Sequence, residues 1–337
     1  MGVIMIGKQS VKFDKGIYIE ATATVVSEKE KEGPLGKLFD VVVEDPMAGQ
    51  ENWEKAESKL QEIAVDKLFM KSSYKKEDVR YIFAGDLLGQ LIATSFGLKR
   101  YEIPIFGLYG ACSTFAEGLS LAAITISSGA ADNVIALASS HFASAEKQFR
   151  FPLEYGNQRP ESSTWTVTGC GAAMVTKNET PVRIAGITTG KIVDYGVKDS
   201  MNMGACMAPA AADLIETNLK DFGVDASYYD RIITGDLGTV GRTILIDLLA
   251  EKGIRIQDNF MDCGIEIYDS ESQDTKAGGS GCGCSAVTFG AYIMNHLTTG
   301  KWNRILFIPT GALLSTVSYN EGESVPGVAH GVVIERS

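Results

Sequence analysis

The chain has 337 residues, of which 45% are hydrophobic and 22% charged, and its formal net charge is −11. This composition is that of a globular protein with enough length for two core-forming units. Nucleic-acid binders usually carry a basic stripe, and none is visible here, so we expect no nucleic-acid partner.

The distribution of charge disfavours two further classes, secreted proteins and transmembrane proteins. Residues 1–9 have no secretory signal pattern, because charge soon interrupts their short apolar start. The longest stretch without Asp, Glu, Lys or Arg, residues 277–300, carries several glycines plus Asn295 and His296, which are costly in lipid. We expect a cytosolic-type protein without a transmembrane helix, in contact with a membrane only at its surface.

The cysteines are scattered and form no paired Cys-x-x-Cys frame, so we expect reduced thiols and no metal site. They are Cys112, Cys170, Cys206, Cys263, Cys282 and Cys284.

In chain order, residues 27–36 alternate in charge and then turn, which predicts a solvated loop. Residues 53–68 predict a helix and residues 79–84 a buried strand. An apolar run then meets a small-residue turn at Cys112, and the uncharged residues 119–128 predict a fully buried central helix. A cysteine at a helix N-terminus is favoured as a thiolate, so Cys112 is a candidate nucleophile.

The middle of the chain connects two similar halves. Residues 150–160, with prolines, glycine and aromatics, predict a loop that covers a pocket. Beyond it, residues 208–222 predict a helix and residues 231–234 a strand, which repeats the pattern of the first half.

Three pairs of segments support a duplication, at offsets of 150, 170 and about 160 residues in the same order. They pair residues 75–89 with 225–239, 133–139 with 303–309, and 169–177 with 329–336. Alternating strands and helices in each copy predict an α/β fold with mainly parallel sheets. We place the N-terminal half at residues 1–180 and the C-terminal half at residues 181–337, packed back to back in five layers.

The duplicated halves, the turn at Ala111 and Cys112 and the glycine-rich C-terminal end resemble the thiolase superfamily, especially β-ketoacyl-acyl carrier protein synthase III. This resemblance spans most of the chain. It implies a thiolase-like five-layered α-β-α-β-α fold, a homodimer, and a Cys-His-Asn site for acyl transfer and Claisen condensation.

Only one member of that site is retained. Cys112 matches the nucleophile, whereas Asp236 stands where the family has its histidine and Ser280 where it has its asparagine. A nearby carboxylate raises the pKa of a thiol and, while ionised, has no hydrogen to donate to an oxyanion. We therefore expect no enzyme and no cofactor, with Cys112 as a vestigial nucleophile.

The alternative is an acyl-transferring enzyme of the synthase III type that uses Cys112 with a different base. His141 ends an apolar strand and His330 lies in a glycine-rich bend, and each position suits either a pocket or an ordinary loop. His296 falls within a predicted helix and is expected to be a packing or surface residue.

A more specific resemblance covers nearly the full length. Blocks of this chain are similar to the stage V sporulation protein AD family of spore-forming Firmicutes at residues 32–40, 84–88, 110–114, 148–152, 207–213, 277–286 and 329–333. That family implies a thiolase-like scaffold that binds dipicolinic acid (pyridine-2,6-dicarboxylate), alone or as its calcium chelate. It also implies membrane subunits as partners, in a complex at the forespore or spore inner membrane that moves the ligand inwards during sporulation and outwards at germination.

The resemblance places the ligand in the former acyl pocket. Backbone N–H groups at Cys112 would face one carboxylate, with hydroxyls from Ser113, Thr114 and Ser280. Phe115 or Tyr109 would pack on the ring. The second carboxylate would meet His141, Arg150 or His330, and Asp236 would contact calcium if the chelate binds. A third interpretation is a scaffold that recruits channel subunits and binds nothing small.

Overall fold

The computed structural model of the protein describes residues 2–14, 16–149 and 159–337. Its strands are β1 Val3–Ile6, β2 Ser10–Phe13, β3 Tyr18–Ser27, β4 Val41–Val43, β5 Tyr81–Gly85, β6 Ile105–Gly107, β7 Asn133–Ser140, β8 Trp165–Thr166, β9 Gly169–Thr176, β10 Val182–Thr188, β11 Arg231–Thr234, β12 Phe260–Asp262, β13 Gly279–Ser280, β14 Arg304–Ile308, β15 Thr310–Ala312, β16 Gly327–Ala329 and β17 Gly331–Arg336. Its α-helices are α1 Glu28–Lys31, α2 Trp53–Lys71, α3 Ile92–Leu98, α4 Thr114–Ser127, α5 Phe142–Phe149, α6 Met203–Phe222, α7 Gly238–Glu251, α8 Cys263–Ile267, α9 Cys282–Thr288, α10 Met294–Thr298 and α11 Thr316–Asn320.

The predicted duplication is visible in the strand order. Within the described residues the largest sheet has 13 strands and runs β12-β11-β14-β17-β10-β3-β9-β7-β5-β6, with β1, β2 and β4 at its sides. From the middle outwards, the two halves of this sheet have equivalent strand orders, which are β3-β9-β7-β5-β6 in one half and β10-β17-β14-β11-β12 in the other. The halves meet where Tyr18 of β3 pairs with Arg183 of β10. The segments matched in sequence occupy equivalent strands, which confirms the two homologous halves.

The sheet is mixed, and the expectation of mainly parallel pairing is wrong. β5 is parallel to β6 and β7, and β11 is parallel to β12 and β14. β9 and β17 run antiparallel to both of their neighbours. An antiparallel neighbour needs only a chain reversal and no crossover helix, so the direction of the last strand in each half is not readable from the helix and strand pattern.

Helices cover the sheet as the five-layered prediction requires. α2 packs on β3 and β9 with α3 beside it, and α6 packs on β16 with α7 beside it. Between the halves, α4 contacts β5, β7 and β17, and α9 contacts β7 and β9. Phe115 of α4 lies in this central layer, with its ring centroid 5.4 Å from that of Phe289 and 6.3 Å from that of Phe307. The thiolase-like α-β-α-β-α architecture is confirmed.

Within the predicted solvated loop of residues 27–36, residues 28–31 differ from the prediction. They form the short helix α1, and Glu30 is fully buried. Its carboxylate accepts hydrogen bonds from the Ser27 hydroxyl at 2.5 Å, from the Thr168 N–H at 3.0 Å, and from the Tyr268 hydroxyl. A buried charge needs several such donors, and the Ser-x-x-Glu capping box was the sequence signal for this arrangement.

The boundary between residues 180 and 181 falls in the connection from β9 to β10, and the division into halves at that point stays a prediction. In the part of the chain that the structure describes, no helix is both long and apolar enough to cross a bilayer. Most of the predicted pocket-covering loop, residues 150–158, lies outside the described residues.

Candidate functional site

The turn that carries Cys112 is tightly constrained. A 3₁₀ turn at Ala111–Ser113 leads directly into α4, and Ala111 has a left-handed φ of 51°. β15 packs closely against this turn, because a Cβ on Gly311 would lie 2.5 Å from the carbonyl oxygen of Gly110. A left-handed alanine is strained and persists only where its surroundings hold it. The fold thus presents Cys112 at a fixed position above the start of α4.

Cys112 faces a pocket of about 290 Å³ that both halves build. The pocket, called the Cys112 pocket below, is mostly apolar, and its described lining includes Glu146 but no Lys, Arg or His. It is lined by Leu87, Tyr109, Ala111, Cys112, Ala145, Glu146, Phe149, Thr166, Met203, Met207, Ser280, Gly281, Ala312, Leu313, Leu314 and Ser315.

Asp236 lies directly behind the wall of this pocket. The carboxyl is only 1% exposed, and its Oδ2 accepts the Ser280 hydroxyl at 2.9 Å and the Gly281 N–H at 3.0 Å. Its Oδ1 accepts the Thr310 hydroxyl at 3.3 Å. Burial is the main cause that raises the pKa of Asp236 to about 7, while a hydrogen bond from the Cys112 thiol lowers it.

Burial and the Asp236 carboxyl together favour the thiol form of Cys112. Burial raises the pKa of the Cys112 thiol well above its usual value, and the negative charge of Asp236 raises it further. The Gly281 N–H acts in the opposite direction but is the smallest of these effects. Cys112, Asp236 and Ser280 are therefore brought together, in an arrangement that disfavours a nucleophile.

The two candidate histidines, His141 and His330, lie outside the described lining of the Cys112 pocket. His141 donates from Nε2 to the Pro46 carbonyl at 2.8 Å and accepts the Ala143 N–H at Nδ1 at 3.1 Å, so both ring nitrogens are occupied. It lines a second cavity, the His141 pocket, with Trp53 and Trp165. Burial lowers the pKa of His141. The expectation that it shares a pocket with Cys112 does not agree with this placement.

His330 is also outside the described lining of the Cys112 pocket. Its Nδ1 accepts the Gly190 N–H at 3.3 Å, and burial lowers its pKa to about 4. Arg150, the third candidate for the second carboxylate, lies outside the described residues.

Among the residues after Cys112, the side chains turn away from the pocket. The Ser113 hydroxyl donates to the Gly110 carbonyl at 2.6 Å, and the Thr114 hydroxyl donates to the Ala111 carbonyl at 2.7 Å. Short hydroxyl side chains often bond to nearby backbone in this way. Phe115 is buried in the central core, which leaves Tyr109 as the predicted ring-packing residue that lines the pocket.

Sequence reasoning missed the pocket residues that come from helices and from the loop after β15. Glu146 belongs to α5, Met203 and Met207 to α6, and Leu314 follows β15. Met207 opens one of the matched blocks, but an apolar side chain carries no pattern that separates pocket from core. In the described part of the chain, no group of three or more His, Cys, Asp and Glu side chains is arranged to hold a metal ion.

We expect Cys112 to react slowly with iodoacetamide, about tenfold or more slower than free cysteine near neutral pH, because little thiolate forms. Asp236→Asn removes the repelling charge, lowers the pKa of the thiol and should speed the reaction. Peptide mass spectrometry gives the rate, with Cys112→Ala as the background. Wild-type modification as fast as that of free cysteine would contradict the proposed thiol state.

The order of strands and helices defines a thiolase-like fold. The structure resembles 3-oxoacyl-[acyl-carrier-protein] synthase III from Aquifex aeolicus VF5, with a TM-score of 0.57, 16% identity, and coverage of 95% of this chain and 100% of that one. It also resembles a thiolase from Ascaris suum in complex with coenzyme A, with a TM-score of 0.59, 11% identity, and coverage of 96% and 100%. At these identities the likeness establishes the fold alone.

Sequence comparisons identify the family, which is more specific than the fold. A sequence model of Stage V sporulation protein AD matches residues 7–335. The chain is also 42% identical over 331 residues to Stage V sporulation protein AD of Bacillus subtilis (strain 168), with 98% of both chains covered. The chain belongs to the stage V sporulation protein AD family.

Proposed function

We propose that this sporulation protein binds dipicolinic acid, free or as its calcium chelate, in the Cys112 pocket and does not catalyse acyl transfer. One observation supports this proposal most strongly. The pocket beside Cys112, which matches the thiolase nucleophile, is open, but the surroundings of Cys112 do not activate its thiol. The resemblance to the thiolase superfamily assigns Asp236 and Ser280 to the positions of its histidine and asparagine. Burial, and then the charge of Asp236, raises the pKa of the Cys112 thiol. A cavity that keeps its shape without a base is suited to binding.

The size and lining of the pocket support a small planar diacid. A volume of about 290 Å³ lies at the lower end of the range typical of small-molecule sites. Tyr109 and Phe149 offer flat apolar surfaces, and Thr166 and Ser280 offer hydroxyl groups. Such a mixture of aromatic walls and a few polar groups is typical of sites that orient an aromatic ligand.

The charge of the pocket bears on whether free dipicolinate or its calcium chelate is the ligand. The described lining contains no Lys, Arg or His, and Asp236 lies behind it, so a dianion would meet no cationic side chain among these residues. Calcium dipicolinate is neutral overall, and its Ca²⁺ takes further oxygen ligands of the kind that Glu146 would supply. Arg150 is the proposed counterion for the free form.

Isothermal titration calorimetry tests the proposal. Dipicolinate is added to the protein with a calcium chelator present, and then with equimolar Ca²⁺. We expect saturable binding at one site per chain, and no binding of terephthalate, a dianion whose carboxylates point in opposite directions. Absence of heat with both forms of dipicolinate would contradict the proposal and favour a scaffold that binds nothing small.

The rival function is acyl transfer by Cys112. No histidine lines the described part of its pocket, so we expect no acyl-enzyme to accumulate. Incubation with acyl-coenzyme A followed by intact-mass measurement tests this. A stable mass gain that disappears in Cys112→Ala would favour the enzyme.

We further propose a homodimer that associates peripherally with membrane subunits of a dipicolinate transport complex at the forespore or spore inner membrane. The edge strand β6 supports the dimer, because Ile105 and Phe106 are 44% and 52% exposed there. Light scattering on the purified protein measures the oligomeric state. Co-purification from spore membranes, lost after a high-salt wash, would support peripheral attachment.

A further inference from the structure

The hydrogen-bonding groups around Asp236 are of two kinds, a fixed backbone donor and side-chain groups that can rotate. The Gly281 N–H is a fixed donor to Oδ2, at 3.0 Å. The hydroxyls of Ser280 and Thr310 and the thiol of Cys112 can rotate, so each can donate to Asp236 or accept from it. Two of these rotatable groups, Ser280 and Cys112, also line the pocket. The protonation state of Asp236 therefore decides what the pocket wall offers to a ligand.

An ionised Asp236 makes the wall unsuitable for an anion. A carboxylate only accepts hydrogen bonds, so the Ser280 hydroxyl and the Cys112 thiol both direct their hydrogens to it. Their lone pairs then face the pocket and repel a carboxylate placed there.

A neutral Asp236 reverses this polarity. A proton on Oδ1 can be donated to the Thr310 oxygen, 3.3 Å away. Oδ2 is then an uncharged carbonyl oxygen that the Gly281 N–H still satisfies. The Ser280 hydroxyl is released and can donate to a ligand carboxylate in the pocket.

The neighbouring Asp262 is less suited than Asp236 to take this proton. Its oxygens accept three fixed backbone donors, the N–H groups of Leu237 at 2.8 Å, Gly238 at 3.1 Å and Ile265 at 3.1 Å. Burial raises the pKa of Asp262 overall, while these donors and the Thr234 hydroxyl at 2.6 Å act in the opposite direction. Asp236 has one fixed backbone donor where Asp262 has three, so the contacts of Asp236 accommodate a hydrogen more readily.

Among the described residues, the titratable groups that interact with Asp236 are Asp262 and a set of cysteine thiols. Asp262 raises the pKa of Asp236 by repulsion, after burial, and Glu146 lines the pocket on the far side of the wall. The thiols that interact electrostatically with Asp236 are Cys112, Cys263, Cys282 and Cys284, and burial raises the pKa of each. With a pKa of about 7, Asp236 exchanges its proton near neutral pH.

We propose that Asp236 is a positioning residue that couples carboxylate binding to the uptake of one proton from solvent, by turning the Ser280 hydroxyl towards the ligand. This inference rests on the proposed function, because it assigns the ligand carboxylate to the Cys112 pocket. Dipicolinate would bind as an anion together with a proton. Above the pKa of Asp236, affinity would fall by up to about tenfold for each pH unit, as expected for one linked proton.

Calorimetry in buffers with different ionisation enthalpies measures the protons taken up on binding. For the wild-type protein and free dipicolinate, we expect uptake of about half a proton near pH 7, rising towards one near pH 8. Binding without proton uptake would overturn the role of Asp236 and leave the binding function intact. Absence of binding at every pH would overturn the proposed function, and this inference with it.

Asp236→Asn provides the matched variant, because an amide imitates the neutral carboxyl with one donor side and one acceptor side. We expect it to bind dipicolinate about tenfold more tightly than the wild type near pH 8, without proton uptake and with an affinity that does not change with pH. Equal proton uptake in both proteins would assign the proton to another group and overturn the proposal. The wild-type measurement stands by itself if the variant does not fold.

Discussion

Cys112→Trp is expected to lower the affinity for dipicolinate at least about 100-fold, which corresponds to about 2.7 kcal/mol of binding free energy. The side chain at this position points into a cavity of only about 290 Å³. An indole placed there occupies the space of a planar ring, and the opposite walls, formed by Met203 and Leu314 among others, belong to other elements that cannot all withdraw. Calorimetric titration of the purified variant gives the affinity.

Cys112→Ala is the control for this variant. It removes the thiol and leaves the cavity open, so binding should change by less than about threefold. Thermal unfolding of both variants shows whether each is folded. Unchanged affinity in the tryptophan variant would place the ligand outside the Cys112 pocket, and equal losses in both variants would show that the thiol itself is the main contact.

The second large effect is expected from Gly281→Ala, which should destabilise the protein by about 3 kcal/mol or more and abolish ligand binding. Gly281 has φ of 98° and ψ of 163°, a backbone region that is essentially restricted to glycine. A Cβ there would lie 2.6 Å from the Ser140 hydroxyl oxygen. Movement of Gly281 also displaces the N–H that bonds to Asp236. Chemical denaturation and calorimetry measure the two losses.

Gly129→Ala separates the cost of the backbone conformation from the cost of the close contact with Ser140. Gly129 has a positive φ of 78°, but a Cβ on it would meet nothing within 4 Å. It should cost only about 1–2 kcal/mol, which is the usual penalty for an L-residue in the left-handed region. If both variants lose the same stability and Gly281→Ala still binds dipicolinate, the close packing at Gly281 does not support the site.

The features that could be predicted from the sequence are those carried by repeated or local patterns. The three segment pairs predicted the two halves, because equivalent strands keep their Gly and apolar positions. The turn at Cys112 and the substitutions at Asp236 and Ser280 are also local features, and the structure brings these three residues together. A site built at strand ends and helix starts is accessible to such reasoning.

The rest of the site depends on tertiary packing. His141 and His330 both follow or flank strands, but the path of the chain after each strand takes their rings to other surroundings. Ser113 and Thr114 adjoin Cys112 in sequence, yet their hydroxyls bond to the backbone one turn earlier. Glu146 and Met207 come from helices whose orientation towards the pocket is set by tertiary contacts, of α5 with α2 and β8 and of α6 with β15 and β16, which no local pattern records.

A crystal structure of the protein soaked with dipicolinate tests the central claim most directly. We expect the pyridine ring in the Cys112 pocket beside Tyr109, with one carboxylate within hydrogen-bonding distance of the Ser280 hydroxyl and no bond to the sulfur of Cys112. Ligand density confined to the His141 pocket, or a covalent adduct on Cys112, would contradict it.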